Sequence, residues 1–343
     1  MIRGVAIAGS DRAAVVAGEG ILEAGGSAVD AVIAGFFGAA GAHPGVLLAP
    51  AVALVAGAAV GARAFDGRSA QPGRGAARPR GFVEEGSIPE AARFAVPRSL
   101  AMLVLLHTYA GRAKWRELVK PGALTADKVG AGRRAALLRS AGDLGVMALR
   151  SRDVERALLE RGGSVEGGTL TAEDLAEIRP ENTGARTSAI GEQVTVVSAP
   201  WDASTGSEVP SGSSLEAEVL VACDGRGGVA ALAYSPAREG IAIDALELLV
   251  NREAAPVRRG VPRVAPGTVF PAPSPIAILS RSGGFWVAVG FPGRASIEPE
   301  ALLDLSSGLA VETALTDLRD QTRSRAVFAA LRDGRTARPI AIE

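Results

Sequence analysis

Gly20-Ile-Leu-Glu-Ala-Gly-Gly-Ser-Ala-Val-Asp-Ala-Val32 and Phe65-Asp-Gly-Arg-Ser-Ala-Gln-Pro72 are the two runs whose reading decides the fold. Upstream and through the first run, Val15, Val16, Ile21 and Leu22 with small residues between them predict a helix over 13–26 that glycine ends. Ser27 is placed to cap a second helix, whose apolar positions are Val29, Val32, Ile33, Phe36 and Phe37. In the second run Asp66-Gly67 is a turn signature. Arg68 beside it offers a planar guanidinium that pairs bidentately with a carboxylate, which lysine does not imitate. Two partners stand open for it: the carboxylate of a ligand, or Asp66 and other acids of its own neighbourhood.

Working outward, Met1 to Ser10 reads as a first strand. From Ala31 to Ala62 there is no Asp, Glu, Lys or Arg, a length that would span a bilayer. His43-Pro44-Gly45 and Pro50 interrupt it, and alanine and glycine dominate over leucine. The expectation is a buried helix followed by buried strand segments, with Val46 to Ala64 strand-like and a turn before Asp66. Pro72 to Pro89 reads as a surface loop, Ser99 to Tyr109 as an apolar helix, and Ala136 to Gly163 as helical and charged on one face. Thr171 caps a further helix, with Asp174 three residues on in near capping-box spacing. Val194 to Ser198 alternates as a strand does, and Glu216 and Glu218 read as solvent-facing strand residues.

The composition sets bounds. With 343 residues, 48% of them hydrophobic, the chain is long enough for a sizeable core. Thirty-seven basic residues balance thirty-seven acidic ones, which gives no sign of a nucleic-acid or membrane-surface partner. Forty-three glycines point to tight turns and close backbone packing, or to a GC-rich genome. The single cysteine, Cys223, excludes an internal disulfide and a Cys-based zinc site, and its apolar surroundings mark it as a buried structural thiol. His43 and His107 are too few for a His-rich metal site, so neither metal nor cofactor is expected. The amino terminus lacks a charged stretch followed by a long apolar one.

The two opening runs resemble the γ-glutamyltransferase family. The first is similar to its iLxxGGNAvDAavA helix, the second to its DGRExAP loop, in which the arginine holds the α-carboxylate of a γ-glutamyl substrate; Arg68 falls on that arginine. Further matches follow in order. Val96-Pro97 through Tyr109-Ala-Gly111, Trp115, Leu118 and Pro121 resembles VPGtvaGleLaherYGxlpWxeLlePA, with Arg98 where the family prefers glycine. His107 sits where the family often has histidine late in a helix, which implies packing. Gly167 to Ala176, ending in Ile178-Arg-Pro180, resembles GGxLTaeDLaxyrp. Only Pro200, Ser204 and Gly206 match the PPPSSGG loop. Asp224 to Leu232, Ser274-Pro275, Gly290-Phe-Pro-Gly293 and the helix expected over 303–319 resemble the family's later segments.

The resemblance implies an α+β fold, the four-layer αββα sandwich of the N-terminal-nucleophile hydrolases, in one domain over 1–343. Residues 1–206 correspond to the large subunit and 215–343 to the small one. Between them, 207–214 is a short linker where full-length relatives carry a long helical region before their processing site. Active bacterial relatives are exported, and the missing export signal makes the cytoplasm the expected location.

In this family the precursor cleaves itself before a threonine, whose freed amine then serves as base for its own hydroxyl. Anchored on Gly227-Gly228, that threonine falls at Ala217, and a methyl group neither attacks a carbonyl nor is activated by a base. The later threonine falls at Ser235, which keeps a hydroxyl, and the asparagine after it at Ala237. Of the family's acidic run, Asn251 and Glu253 remain, the paired serines become Pro271 and Ala272, and the oxyanion glycine pair reads Gly293-Arg294. A two-residue slip would instead bring Ser213 or Ser214 to the nucleophile position, at odds with the poor tolerance of strands for register change.

Two functions are therefore expected as alternatives. The first is a γ-glutamyltransferase-like pseudoenzyme that lacks self-processing and γ-glutamyl transfer, and binds a small glutamate-like ligand, as in glutathione metabolism, through Arg68, Asn251 and Gly293. The second is an active amide hydrolase or transferase with Ser213 or Ser214 as nucleophile and Ser235 as a supporting hydroxyl. Arg68 is expected to face a cleft near the Gly290–Gly293 turn and the start of the Glu216 to Ala222 strand. Neither nucleic acid nor membrane is expected as a partner, and the oligomeric state stays open.

Overall fold

The computed structural model describes residues 4–57, 61–76, 81–190, 194–201, 216–281, 284–293, 297, 302 and 311–343. Its organising element is the second helix. After α1 (Arg12–Glu23), α2 (Ala28–Ala42) runs through the interior with every residue from Ala28 to Gly41 buried. A helix buried on all sides has no water to satisfy its first N–H groups, so the chain must supply acceptors. Ser27 and Asp30 form a reciprocal capping box: the Asp30 N–H donates to Ser27 Oγ (3.1 Å), and the Ser27 N–H and hydroxyl each donate to Asp30 Oδ2 at 2.9 Å. The same Asp30 carboxylate accepts the N–H groups of Arg112 and Ala113 at 3.0–3.1 Å, and Asp224 accepts that of Ala28 at 3.1 Å.

The sheets follow. β1 (Ala6–Gly9), β7 (Glu218–Cys223), β8 (Val229–Tyr234), β2 (Ala51–Ala56), β3 (Arg63–Gly67) and β4 (Glu181–Gly184) lie side by side in that order, each pair antiparallel. A second sheet has the order β14 (Thr336–Ile342), β13 (Val327–Asp333), β12 (Phe285–Gly290), β11 (Ile276–Arg281), β6 (Val194–Ser198) and β5 (Arg186–Ile190), again antiparallel. A short ribbon pairs β9 (Ile241–Ile243) with β10 (Leu248–Val250). Alternation divides the first sheet's side chains between two cores. Leu220, Ala222 and Leu232 join α2, α3 (Ser99–Ala110), α4 (Trp115–Lys128), α5 (Gly132–Leu144) and α6 (Arg152–Gly162). Val219, Val221 and Ala231 face Ile276, Ile278 and Ala288 of the second sheet. On that sheet's other face, Ala277, Val287 and Ala329 pack with Leu315 and Leu318 of α8 (Val311–Thr322).

The apolar stretch from Ala31 is the expected buried helix followed by a buried strand, and no helix among the described residues is long and apolar enough to cross a membrane. Thr171 and Asp174 complete a capping box at α7 (Ala172–Ala176). Two expectations are corrected. The helical stretch from Ala136 to Gly163 is two helices, α5 and α6, divided at Gly145 (φ +58°). Asp66-Gly67 is not a turn but the end of β3, opposite Val52 and Ala51. Glycine stands there because a Cβ on Gly67 would lie 2.8 Å from Met102 Cβ, so its absence lets α3 press onto the strand.

Asp30→Ala would strand the buried N–H of Ser27 and the part-buried N–H groups of Arg112 and Ala113 together. The expected loss is about 3 kcal/mol of unfolding free energy, read as a lowered urea midpoint at unchanged slope. A loss under about 0.5 kcal/mol would mean that water replaces the carboxylate there.

Candidate functional site

The strand registers put the expected site residues at one end of the first sheet. Gly67, Ala51, Tyr234 and Glu218 form one row, so Arg68, Pro50, Ser235 and Ala217 all lie just beyond it. Ala217 is wholly buried in the core between the sheets, and its carbonyl accepts the Gly293 N–H at 2.9 Å. The turn after β12 therefore does meet the start of β7, but the Gly293 donor is already engaged.

Glu218 points the other way and is not solvent-facing, contrary to expectation: only 8% of it is exposed. Arg325 Nη2 donates to both of its oxygens at 3.0 Å, and Arg238 Nη2 donates to Oε1 at 2.6 Å. A carboxylate taken out of water at this depth needs such partners, which is the reason it is not free to face solvent. Glu216 is exposed, 3.8 Å from Arg238.

Arg68 is held on three sides. Its Nε and Nη2 donate to Asp66 Oδ1 and Oδ2 at 3.1 and 3.0 Å, its backbone N–H donates to Oδ1 at 2.9 Å, and the Trp201 ring lies 4.9 Å from Cζ. Of the two partners left open by the sequence, the one present is Asp66. Because β2 and β8 lie between β3 and β7, Arg68 stands three strand spacings, about 14 Å, from the Ala217 end.

Between these points runs a buried polar chain. Asn251 Nδ2 donates to the Ser235 carbonyl at 2.9 Å. The side chains of Asn251 and Ser69 hydrogen-bond to Glu253, whose Oε2 is buried without a partner, as is the Ser235 hydroxyl. Burial pushes the Glu253 carboxyl up to about 7, against the downward pull of those two hydrogen bonds. The structure thus joins Arg68, through its neighbour Ser69, to Glu253, Asn251 and Ser235. Ala237 is buried with its N–H on the Gly45 carbonyl (2.9 Å), and Ala272 is buried too. The Cys223 thiol is buried and pushed up to about 12 by desolvation, which makes it inert at neutral pH. His107 packs on Trp115 and bonds the Ala113 carbonyl at 2.8 Å. Ser213, Ser214, the linker 207–214 and Arg294 lie outside the described residues.

Sequence reading missed Ser69, although it sits beside Arg68 in the run first quoted. It also missed Arg325, which lies 107 positions from Glu218 and carries no local signal.

No family model matches the chain, and no curated protein matches it in sequence. Solved structures do match. A structure of LmbA2991HD covers 99% of this chain and 98% of that chain, with a TM-score of 0.72 and 14% identity. A cephalosporin acylase from Bacillus halodurans covers 99% and 93%, with a TM-score of 0.66 and 15% identity. A γ-glutamyltranspeptidase from Pseudomonas nitroreducens, complexed with L-DON, aligns over 57% of this chain and 70% of that chain at 20% identity, and its TM-score of 0.48 carries no weight. The chain shares the fold of these two structures over nearly its whole length. At these identities the likeness is one of fold, and the chemistry rests on this chain's own residues.

Glu253 gives a pH test. Its folded pKa of about 7 lies above its ordinary 4.5, so folding favours the protonated form. The stability this contributes is fully present below about pH 4.5 and is lost as pH rises through about 7. At roughly 1.4 kcal/mol per unit, the loss is about 3 kcal/mol. Glu253→Gln lacks the titration, so its unfolding free energy relative to wild type should rise by about that amount between pH 4.5 and pH 8 in urea titrations. A difference constant with pH would show an ordinary, hydrated carboxyl.

Proposed function

We propose that this chain is a γ-glutamyltransferase-like protein in the four-layer αββα arrangement that neither cleaves itself nor transfers γ-glutamyl groups. We take it to be a binding protein for small glutamate-like ligands, γ-glutamyl compounds such as glutathione among them. The observation that carries this is Ala217. The methyl at the expected nucleophile position is sealed between the sheets, and the Gly293 N–H expected for the oxyanion points instead at the Ala217 carbonyl. An oxyanion site works through donors held ready for developing negative charge, and a donor committed to a main-chain carbonyl is not ready. Arg325 and Arg238 on Glu218 close the adjoining position.

The binding half rests on Arg68 for a carboxylate, with Asn251 and Glu253 on the side where the resemblance places the substrate amine. Gly293 contributes backbone shape at φ +78° rather than a free donor. A ligand carboxylate on Arg68 shares the guanidinium with Asp66, so weak binding is expected. A Kd on the order of 1 mM corresponds to only about −4 kcal/mol.

Intact mass spectrometry of the purified protein should give one species at the full-length mass. Two fragments joined at Gly212-Ser213 or Ser213-Ser214, lost on alanine substitution at the new amino terminus, would replace this reading with the serine-nucleophile alternative. For the binding half, calorimetry should show weak glutamate binding that Arg68→Ala abolishes, and no glutamate binding by the wild type would remove the ligand from the proposal.

A further inference from the structure

Arg98 is the buried charge that the reading above leaves without a role. It replaces a glycine preferred by the resembling family, and only 5% of it is exposed. Its Nε and Nη2 donate to the Arg179 carbonyl at 3.2 and 2.8 Å, and its Nη1 to the Arg68 carbonyl at 3.2 Å. A guanidinium has five N–H groups, so two remain. Their nearest carboxylate oxygens are Asp66 Oδ2 at 3.8 Å from Nη1 and Glu181 Oε1 at 3.7 Å from Nη2, both beyond hydrogen-bond length. Asp66 already serves Arg68, and the Glu181 side chain is 68% exposed. A cation kept this dry is costly unless its donors are filled.

Beside Arg98 lies a cavity of about 230 Å³, which Ala70, Val96, Ile178 and Val269 line with apolar surface. Two of its three acidic members are committed, and the third, Glu181, lies 3.7 Å from Arg98 with its side chain 68% exposed. Asp174 accepts the N–H groups of Gly73, Arg74 and Thr171 and the Thr171 hydroxyl, at 2.8–3.1 Å, and Glu177 pairs with Arg74 at 3.2 Å. The buried vacant polar capacity, the two open Arg98 N–H groups, is therefore donating and positive, and Ala70, Val96, Ile178 and Val269 supply apolar wall beside it. That combination selects a single negative charge on a short apolar body over a zwitterion or an amine. We propose that this cavity binds a small aliphatic monocarboxylate, whose carboxylate takes the two open N–H groups of Arg98 while its tail lies along Val96, Ile178 and Val269. The site is separate from the Arg68 fork and does not depend on the function proposed above.

Pentanoate serves as the probe in a ligand-observed NMR titration of the full chain. The wild type should bind it saturably with Kd on the order of 1 mM, and neither pentylamine nor pentanamide should compete. Arg98→Gln should weaken binding by about tenfold or more, the usual scale for losing a charged hydrogen-bond partner. Val269→Phe, which fills the cavity and leaves Arg98 untouched, should do the same, and it decides the matter if circular dichroism shows Arg98→Gln unfolded. Unsaturable binding to the wild type, equal binding of pentylamine, or wild-type affinity in a folded Arg98→Gln or in Val269→Phe overturns the site. Failure of glutamate to bind leaves this site standing, because that ligand is assigned to Arg68.

Discussion

Everything in the described fold is referred to the amino end of α2. A helix buried along its whole length presents its positive pole to a place without water, and two carboxylates meet it there, Asp30 from within and Asp224 from the β7–β8 turn. Among the described residues neither pairs with a cation; backbone amides serve instead, as they do where an anion sits at a helix start. Each acid also reaches beyond the helix. Asp30 holds the segment between α3 and α4 through Arg112 and Ala113, and Asp224 holds its own turn through the N–H groups of Arg226 and Gly228. Three distant parts of the chain are thereby fixed to one pole.

That anchoring sets how closely the neighbours approach. A Cβ on Gly35 would fall 2.2 Å from Leu220 Cδ2, and one on Gly41 would fall 2.1 Å from the Gly122 carbonyl. So α2 lies against β7 on one side and α4 on another at distances only glycine permits. The position of β7 in turn places Ala217 between the sheets and Glu218 toward the helices. With the helix side closed, Glu218 has no water to face, and the arginines that cover it follow from its depth rather than from any chemistry at Ala217.

Much of this was legible locally. The caps at Ser27 and Thr171, the buried run from Ala31 and the first strand are each written within a few residues, where spacing carries the signal. The failures share a cause. Asp66-Gly67 has the composition of a turn, yet its glycine answers to Met102 on a helix thirty-five positions later. Glu218 alternates as an exposed strand residue should, yet its environment is decided by Arg325. Arg68 was correctly singled out as a carboxylate-pairing group, but which carboxylate it meets depends on the rotamer of a neighbour two residues away. Pairings that close across the fold leave no periodicity to read, so the site was recognisable in its members and not in its connections.

The connection that matters most is Asp66. It lies between Arg68, which takes both of its oxygens, and Arg98, which stands 3.8 Å off. One buried negative charge thus serves one buried and one half-buried positive charge, with the exposed Glu181 beside them. Coulomb attraction at this depth is strong but is shared, and a hydrogen-bonded pair takes most of it. Arg68 is satisfied by its own neighbour, so a visiting carboxylate there competes with an internal one. Arg98 is the arginine left with donors to spare. Where the resemblance directs attention to Arg68, charge balance directs it deeper, to Arg98, one of the positions at which this chain departs from the family's pattern.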